Sequence, residues 1–424
     1  MACYRYDRAL VKIKASAMPT GIDDMEVAFD DGDLAYIRVE EIELPDGFEY
    51  EEGSDLRQGD EEDKGSFLRQ PGDGKIMMGF HPAIAGDEVP DTAPILDNLP
   101  PLGVLLDAAV GSAFAGGITA TSDEDAGVFD VASTTGFRAG EGCAVFRDGQ
   151  AIWFGRIKAV VTGSAPTIEL FPAPPDWYEH DADDTLQGGY TYVLTPAAGC
   201  ADVVDVLMLG EPTDYVHTGR AVAIDGFKLS APYRGLAKIE FPLKVALPEP
   251  PDTTVEHDGL SVQTYSYPEA TQVLKGGLYL TVDGETTKLA GGAEVELTNG
   301  TEPVDGINAV DPNGVLGFAH TDRKVRLTLK PQWDDAGIWD VVRTNNGEAM
   351  TLTCWFGIGA AVEGFQVPAA ILVQTPKRAE EKGKLHYDLV LGAGAYTGDT
   401  GTFSAAQAGN KPFMLWQCAG TVAP

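Results

Sequence analysis

The chain is short of cysteine, histidine and positive charge, and each shortage excludes a class of function. Five cysteines in 424 residues (Cys3, Cys143, Cys200, Cys354, Cys418) stand far apart with no CxxC pair. That usage excludes a disulfide framework and fits reduced thiols. Six histidines are equally scattered, without metal-ligand spacing. Lys and Arg number 30 against 65 Asp and Glu, a formal net charge of −35. Gripping nucleic acid or anionic lipid needs clustered bases, so both are disfavoured. No apolar run approaches the ~18 residues of a membrane helix. The opening residues, MACYRYDRALVKIK, carry charge throughout and no apolar core of a secretory signal. A soluble intracellular product with no membrane partner is expected.

Catalytic motifs are missing as well. HExxH, GxSxG and an EF-hand loop are absent, and Gly72-Asp73-Gly74-Lys75 runs into Ile76 where a phosphate loop needs Ser or Thr. Asp181-Ala182-Asp183-Asp184 and Asp123-Glu124-Asp125 lack a calcium-loop pattern and are expected to be solvated turns. No catalytic residue, cofactor or metal is predicted.

What the chain does have is 44% hydrophobic residues cut into short runs by 50 Gly and 27 Pro. At 424 residues it is long enough for two or three domains. Runs such as Glu294-Val295-Glu296-Leu297 and Lys324-Val325-Arg326-Leu327 alternate with period 2, the pattern of half-buried strands. Two segments alone read as helices, Leu102–Val110 and Ala336–Thr344, each with acids or prolines before it and Gly or Asn after it. The predicted class is mainly β.

Five blocks recur in one order. Glu41–Gly47 answers Glu294–Gly300 at an offset of 253, and Lys75–Pro82 answers Lys324–Pro331 at 249. Gly103-Val104-Leu105 answers Gly337-Ile338-Trp339. Ala223–Leu229 then answers Ala361–Val367 at 138, and Lys238–Phe241 answers Lys384–Tyr387 at 146. Collinearity points to a degenerate duplication, with the fall in offset marking extra residues in the first copy. Much of that surplus is Ser112–Gly189, where Asp148-Gly149 between apolar runs signals a hairpin. The predicted organisation is a discontinuous first domain (1–111 and 190–247), an inserted small β-module (112–189), a proline-rich linker (248–258), a second domain (259–394) and a C-terminal arm (395–424).

A strand, a long polar loop, a strand, a short helix and closing strands, then Gly226-Phe227-Lys228-Leu229-Ser230 before Lys238-Ile239-Glu240-Phe241, resemble the tail tube (major tail) proteins of long-tailed bacteriophages. Val131–Gly142 with the strand pair after it, and Lys411–Gln417, are similar to parts of some of them. The resemblance spans about Val27–Gln417 and implies two tandem tube domains, each a β-sandwich with one helix. It further implies rings of six such domains, stacked into a tube around a channel. The partners implied are the chain itself, as a homotrimer with pseudo-sixfold symmetry or a homohexamer, other tail proteins at the two ends, and a tape-measure protein and genomic DNA in the lumen without tight binding. The implied location is the virion tail, after synthesis in the host bacterial cytoplasm.

Glu41, Glu43, Glu294 and Glu296 occupy equivalent alternating strands, and these four are predicted to face the channel. An acidic wall repels phosphates over about a Debye length, ~8 Å, so DNA would slide without sticking. The loop after Glu43 packs Asp46, Glu49, Glu51, Glu52, Asp55, Asp60, Glu61, Glu62 and Asp63 against Arg57 and Lys64. Loops this long are usually functional or disordered, and these nine acids are predicted to contact the next ring. The inserted module is predicted to decorate the exterior. Two readings compete: a virion decoration or carbohydrate-binding protein using Trp153, Trp177 and Tyr178 of the module, and a hydrolase using a carboxylate pair such as Glu41/Glu43.

Overall fold

The computed structural model describes residues 5–16, 35–37, 39–45, 49–52, 67–80, 101–110, 113–181, 183–194, 201–211, 215–232, 235–252, 276–282, 285–288, 292–305, 315–330, 350–358, 361–374, 377–381, 384–396 and 412–418. The protein is mainly β, with one helix, Pro101–Val110, among the described residues. The expected second helix at 336–344 lies outside them. Alternation places the side chains as the sequence predicts: Ala293, Val295 and Leu297 are buried while Glu294 and Glu296 reach solvent.

Two sets of strands pair in the same order. In the first, Ala35–Ile37, Arg5–Ser16, Val203–Glu211, Tyr215–Ile224, Lys238–Asp252, Gly72–Gly79 and Glu41–Glu43 lie side by side. In the second, Glu285–Lys288, Gly276–Val282, Met350–Ile358, Ala361–Leu372, Lys384–Ala393, Lys324–Leu329 and Ala293–Thr298 do so. Each member of one series holds the same place, in chain order and in pairing, as its counterpart in the other. A hairpin interrupts each series at the same point: Glu49–Glu52 with Phe67–Gln70, and Thr301–Asp305 with Val315–His320. The stretches expected to be long loops are therefore partly strand. Ala223–Leu229 crosses the bend between two strands, whereas Ala361–Val367 lies inside one, so that sequence block matches no common structural element.

The two series share one core. Ile76, Met78, Val206, Phe241 and Leu243 of the first cluster with Val295, Leu297, Leu327, Leu352 and Leu391 of the second. Each such aliphatic or aromatic side chain contributes roughly 1.5–3 kcal/mol by leaving water. The helix starts on Pro101 and turns Leu102, Leu105, Leu106 and Ala109 into this core, an i, i+3, i+4, i+7 stripe. The proline-rich run expected to be a linker continues the strand to Asp252, with Pro248 opposite Gly219. There it lies beyond Val245, the last residue of this strand paired to Gly72–Gly79.

Residues 118–193 form a six-stranded barrel that closes on itself. Ile118–Asp125 pairs with Val128–Val131, which pairs with Thr167–Phe171, then Gln150–Val161, Gly142–Arg147 and Thr185–Val193, which returns to the first. Asp148 and Gly149 both take positive φ (51° and 68°), the turn that the Asp-Gly pair predicts. The last barrel strand runs on to pair with Ala113–Ala115 and with Met414–Cys418, and the latter also pairs with Ala361–Leu372. The C-terminal residues thus stitch the barrel to the second series. Gly189 is required in this seam, since a Cβ there would sit 2.1 Å from the Gln417 carbonyl oxygen.

Candidate functional surface

Strand Gly226–Ala231 joins the two series into one sheet. It pairs with Lys238–Asp252 on one side and with Ala293–Thr298 on the other. Directly paired residues share a face, so one row can be followed across six strands: Glu41, Met77, Glu240, Lys228, Glu296, Arg326. Glu43 and Glu294 stand on the same face. All four predicted channel glutamates are thereby brought onto a single solvent-facing surface.

That surface is charge-balanced. Its acids on these six strands are Glu41, Glu43, Asp73, Glu240, Glu294 and Glu296; its bases are Lys75, Lys228, Lys238, Lys244, Lys324 and Arg326. Lys75 Nζ lies 2.9 Å from Glu41 and 3.3 Å from Glu43, Lys228 Nζ 3.1 Å from Glu294, and Lys244 Nζ 2.5 Å from Asp73. Hydrogen bonds that Lys75 donates to Glu41 and Glu43 raise its pKa, and the one that Lys228 donates to Glu294 does the same for Lys228. The glutamates are legible in the sequence from their alternation. Their lysine partners are not, because they come from strands more than thirty residues away. Lys238-Ile239-Glu240 was the one available hint, a strand that alternates charge sign on its outer face.

The joint between the series is reinforced on its buried side. Gly226 takes φ +114°, and a Cβ there would stand 1.9 Å from the Leu297 carbonyl oxygen. The Asn299 amide donates to the carbonyls of Ala109 and Ile224 at 2.9 and 3.2 Å. Arg323 donates to Asn299 Oδ1 (3.0 Å) and to the carbonyls of Ala109 (2.9 Å) and Val110 (3.2 Å). A guanidinium thus caps the C-terminal end of the helix, where the dipole favours positive charge. Burial lowers its pKa to about 10. Asp225 Oδ1 accepts the Thr301 N–H at 2.6 Å. The hairpin Thr301–Asp305/Val315–His320 then lies over the other face of the first series, where Val315 and Phe318 pack on Val203, Ala221, Ala223, Ala246 and Leu247. Arg323 was not singled out from sequence, since a lone Arg in a polar stretch carries no periodic signal.

Of the predicted inter-ring acids, Glu49, Glu51 and Glu52 stand on the first hairpin, opposite Gln70, Leu68 and Phe67. Asp46, Asp55, Asp60, Glu61, Glu62 and Asp63 lie outside the described residues.

In the barrel, Asp184 is not the solvated turn residue that the sequence suggests. It is buried and accepts two hydrogen bonds from Arg147 (2.6 and 2.8 Å), one from Tyr178 Oη (2.7 Å) and one from the Asp181 N–H (3.0 Å). Burial works to raise its pKa, but these bonds outweigh it and hold the carboxyl below its ordinary value. Its acceptor sites are occupied by protein donors. Asp123 and Asp125 do face solvent, while Glu124 accepts the Gly127 N–H at 2.5 Å. Trp153 and Tyr178 are buried, and Trp153 packs edge-on against Trp355 and Tyr279 of the second series. Trp177 is 56% exposed. Among the described residues, no group of three His, Cys, Asp or Glu is placed to hold a metal ion, and no helix is long and apolar enough to cross a membrane.

No family model matches the chain, and no curated protein matches it.

Proposed function

We propose that the chain is a structural tail tube subunit of a virion, built from two tandem copies of one β-domain. The observation that carries this reading is the identical pairing order of the two strand series, joined edge to edge into one sheet with one charged face. A unit that repeats by adding its edge strand to the next unit is suited to build a ring, since closure satisfies the edges that would otherwise aggregate. Three chains would supply six such units; six whole chains would supply twelve.

The charged face is proposed to line the channel. Its matched acids and bases would change the expected character of the wall: phosphates would meet alternating signs rather than a uniformly acidic surface, with no unmatched run of bases on that face among the described residues to hold them. The tape-measure protein and DNA would pass along it without tight binding. The barrel, seated at one end of the second series through Trp153 and Trp355, is proposed to lie outside the ring. Burial of Trp153 and Tyr178 leaves Trp177 as the exposed member of the aromatic trio on which a sugar-binding reading would depend. The paired Glu41 and Glu43 are proposed to be wall residues held by Lys75, with no catalytic role.

Negative-stain microscopy of the purified protein tests the proposal. Stacked rings or tubes with a central hole are expected, and threefold class averages with pseudo-sixfold features would support the tandem copies. Monomers at every concentration, by microscopy and light scattering, would overturn it.

A further inference from the structure

Among the described residues, one strand joins the two series edge to edge, and the two components of a second such joint stand without a strand partner on their outer sides. Within the chain, strand Gly226–Ala231 meets the outer edge of Ala293–Thr298, and Lys228 reaches Glu294 across the seam. The counterpart of Ala293–Thr298 in the first series is Glu41–Glu43, and among the described residues it pairs with Gly72–Gly79 on one side and with nothing on the other. The counterpart of Gly226–Ala231 is Lys377–Glu381: each is the short strand added beside the start of the next long strand, Lys238–Asp252 or Lys384–Ala393. Among the described residues Lys377–Glu381 pairs with that strand alone. Exposed apolar residues, Ile371 and Val373, lie just before it.

We propose that copies of this chain associate head to tail by repeating the internal joint between molecules. The edge Glu41–Glu43 of one copy pairs antiparallel with the edge Lys377–Glu381 of the next. The charge contact repeats too: the internal seam sets Lys228 against Glu294 and Glu296, and the external one sets Lys377, which alternation places on the same outer face, against Glu41 and Glu43. The hairpin Glu49–Glu52/Phe67–Gln70 then crosses the neighbour's second series, as Thr301–Asp305/Val315–His320 crosses the first series within the chain. Its acids would serve contacts between chains of one ring, a different place from the inter-ring contact expected of them. This contact is heterologous, so it closes into a ring or runs on as a filament according to the rotation per step. The inference deepens the subunit reading and rests on it for closure around a channel.

Disulfide trapping tests the joint. In a chain with Cys3 and Cys200 replaced by Ser, cysteine pairs are placed at Glu41 and Lys377, at Glu43 and Lys377, and at Glu43 and Ala379, which together span a slip in register. Ser230→Cys with Glu294→Cys is the control, an internal bridge across paired residues. Mild oxidation is expected to give a non-reducing ladder of two and three chains in at least one double variant and none with either cysteine alone. Rings or tubes by microscopy with no ladder in any double variant would overturn this joint and leave the subunit reading standing. A ladder without rings would support the joint and count against the channel. A ladder from single cysteines would overturn the joint. As a second arm, Glu41→Lys with Glu43→Lys should raise the concentration needed for assembly about tenfold or more through like-charge contact. Adding Lys377→Glu in the same chain should lower it again, and no recovery overturns the pairing.

Discussion

Strand Ala293–Thr298 and strand Glu41–Glu43 hold the same place in two series of identical order, yet among the described residues one edge is closed and the other open. The closed edge has Gly226 for close approach, Asn299 and Arg323 threading polar bonds to the helix end, and a hairpin clamped by Phe318. The open edge has surface charge. Where Arg323 precedes the strand Lys324–Leu329, the matching strand Gly72–Gly79 follows Pro71, with no cation to offer. The difference separates a permanent contact from a conditional one. Buried, fully bonded groups hold a seam made once during folding, whereas in the proposed joint between chains exposed Lys–Glu pairs would hold one that waits for a partner.

The largest effect should come from the closed seam itself. Gly226→Ala forces a Cβ against the Leu297 carbonyl at a positive φ and should cost about 3 kcal/mol or more of stability in denaturant unfolding; a change under about 0.5 kcal/mol would mean that the seam is not tight. Next, Arg323→Ala strips the helix end and Asn299 of their donor and should cost about 2–3 kcal/mol. The same substitution leaves the open edge untouched, so assembly by disulfide trapping should persist wherever the protein still folds. Smaller again is Asp184→Asn, about 1–2 kcal/mol, which should unfold the barrel more easily while sparing the joint. In the native protein the contribution of Asp184 is present above the ordinary carboxylate pKa and lost as pH falls through its lowered folded value, so the substitution should flatten stability on the acid side.

Glu141 has the opposite sign. Burial raises its pKa to about 8, against the pull of Arg138. Between the unfolded value near 4.5 and about 8 the folded state keeps a proton that the unfolded chain sheds, so stability falls as pH rises through that window. Glu141→Gln should remove that slope, measured as melting temperature against pH. The smallest effects belong to the shared charged face. Lys228→Ala and Lys75→Ala should each lower stability only slightly, and by less as salt is added. If Lys228→Ala cost several times more than Lys75→Ala, the closed seam would depend on its surface charges, and the contrast drawn here between buried bonding and exposed charge would fail.

Much of the architecture was legible in the order of residues. Period-2 alternation marked Ala293–Thr298 and Lys324–Leu329 as half-buried strands, the prolines before Leu102 and Gly111 after Val110 marked the helix, and Asp148-Gly149 marked a hairpin turn. These signals are local: they depend on which side a residue's Cβ projects and on which φ a residue tolerates. The four glutamates were legible as an outward set for the same reason. Their neutralisation by Lys75 and Lys228 was not, nor was the closing of the barrel, the clamp of Phe318, the burial of Asp184 or the capping role of Arg323. Each of those depends on which distant strand comes to lie alongside. A pairing partner leaves no mark on the periodicity of the strand it meets, because either neighbour satisfies the same backbone groups. Only packing around one core decides which neighbour arrives, and that decision made one half's edge a seam while the other half's edge meets no strand among the described residues.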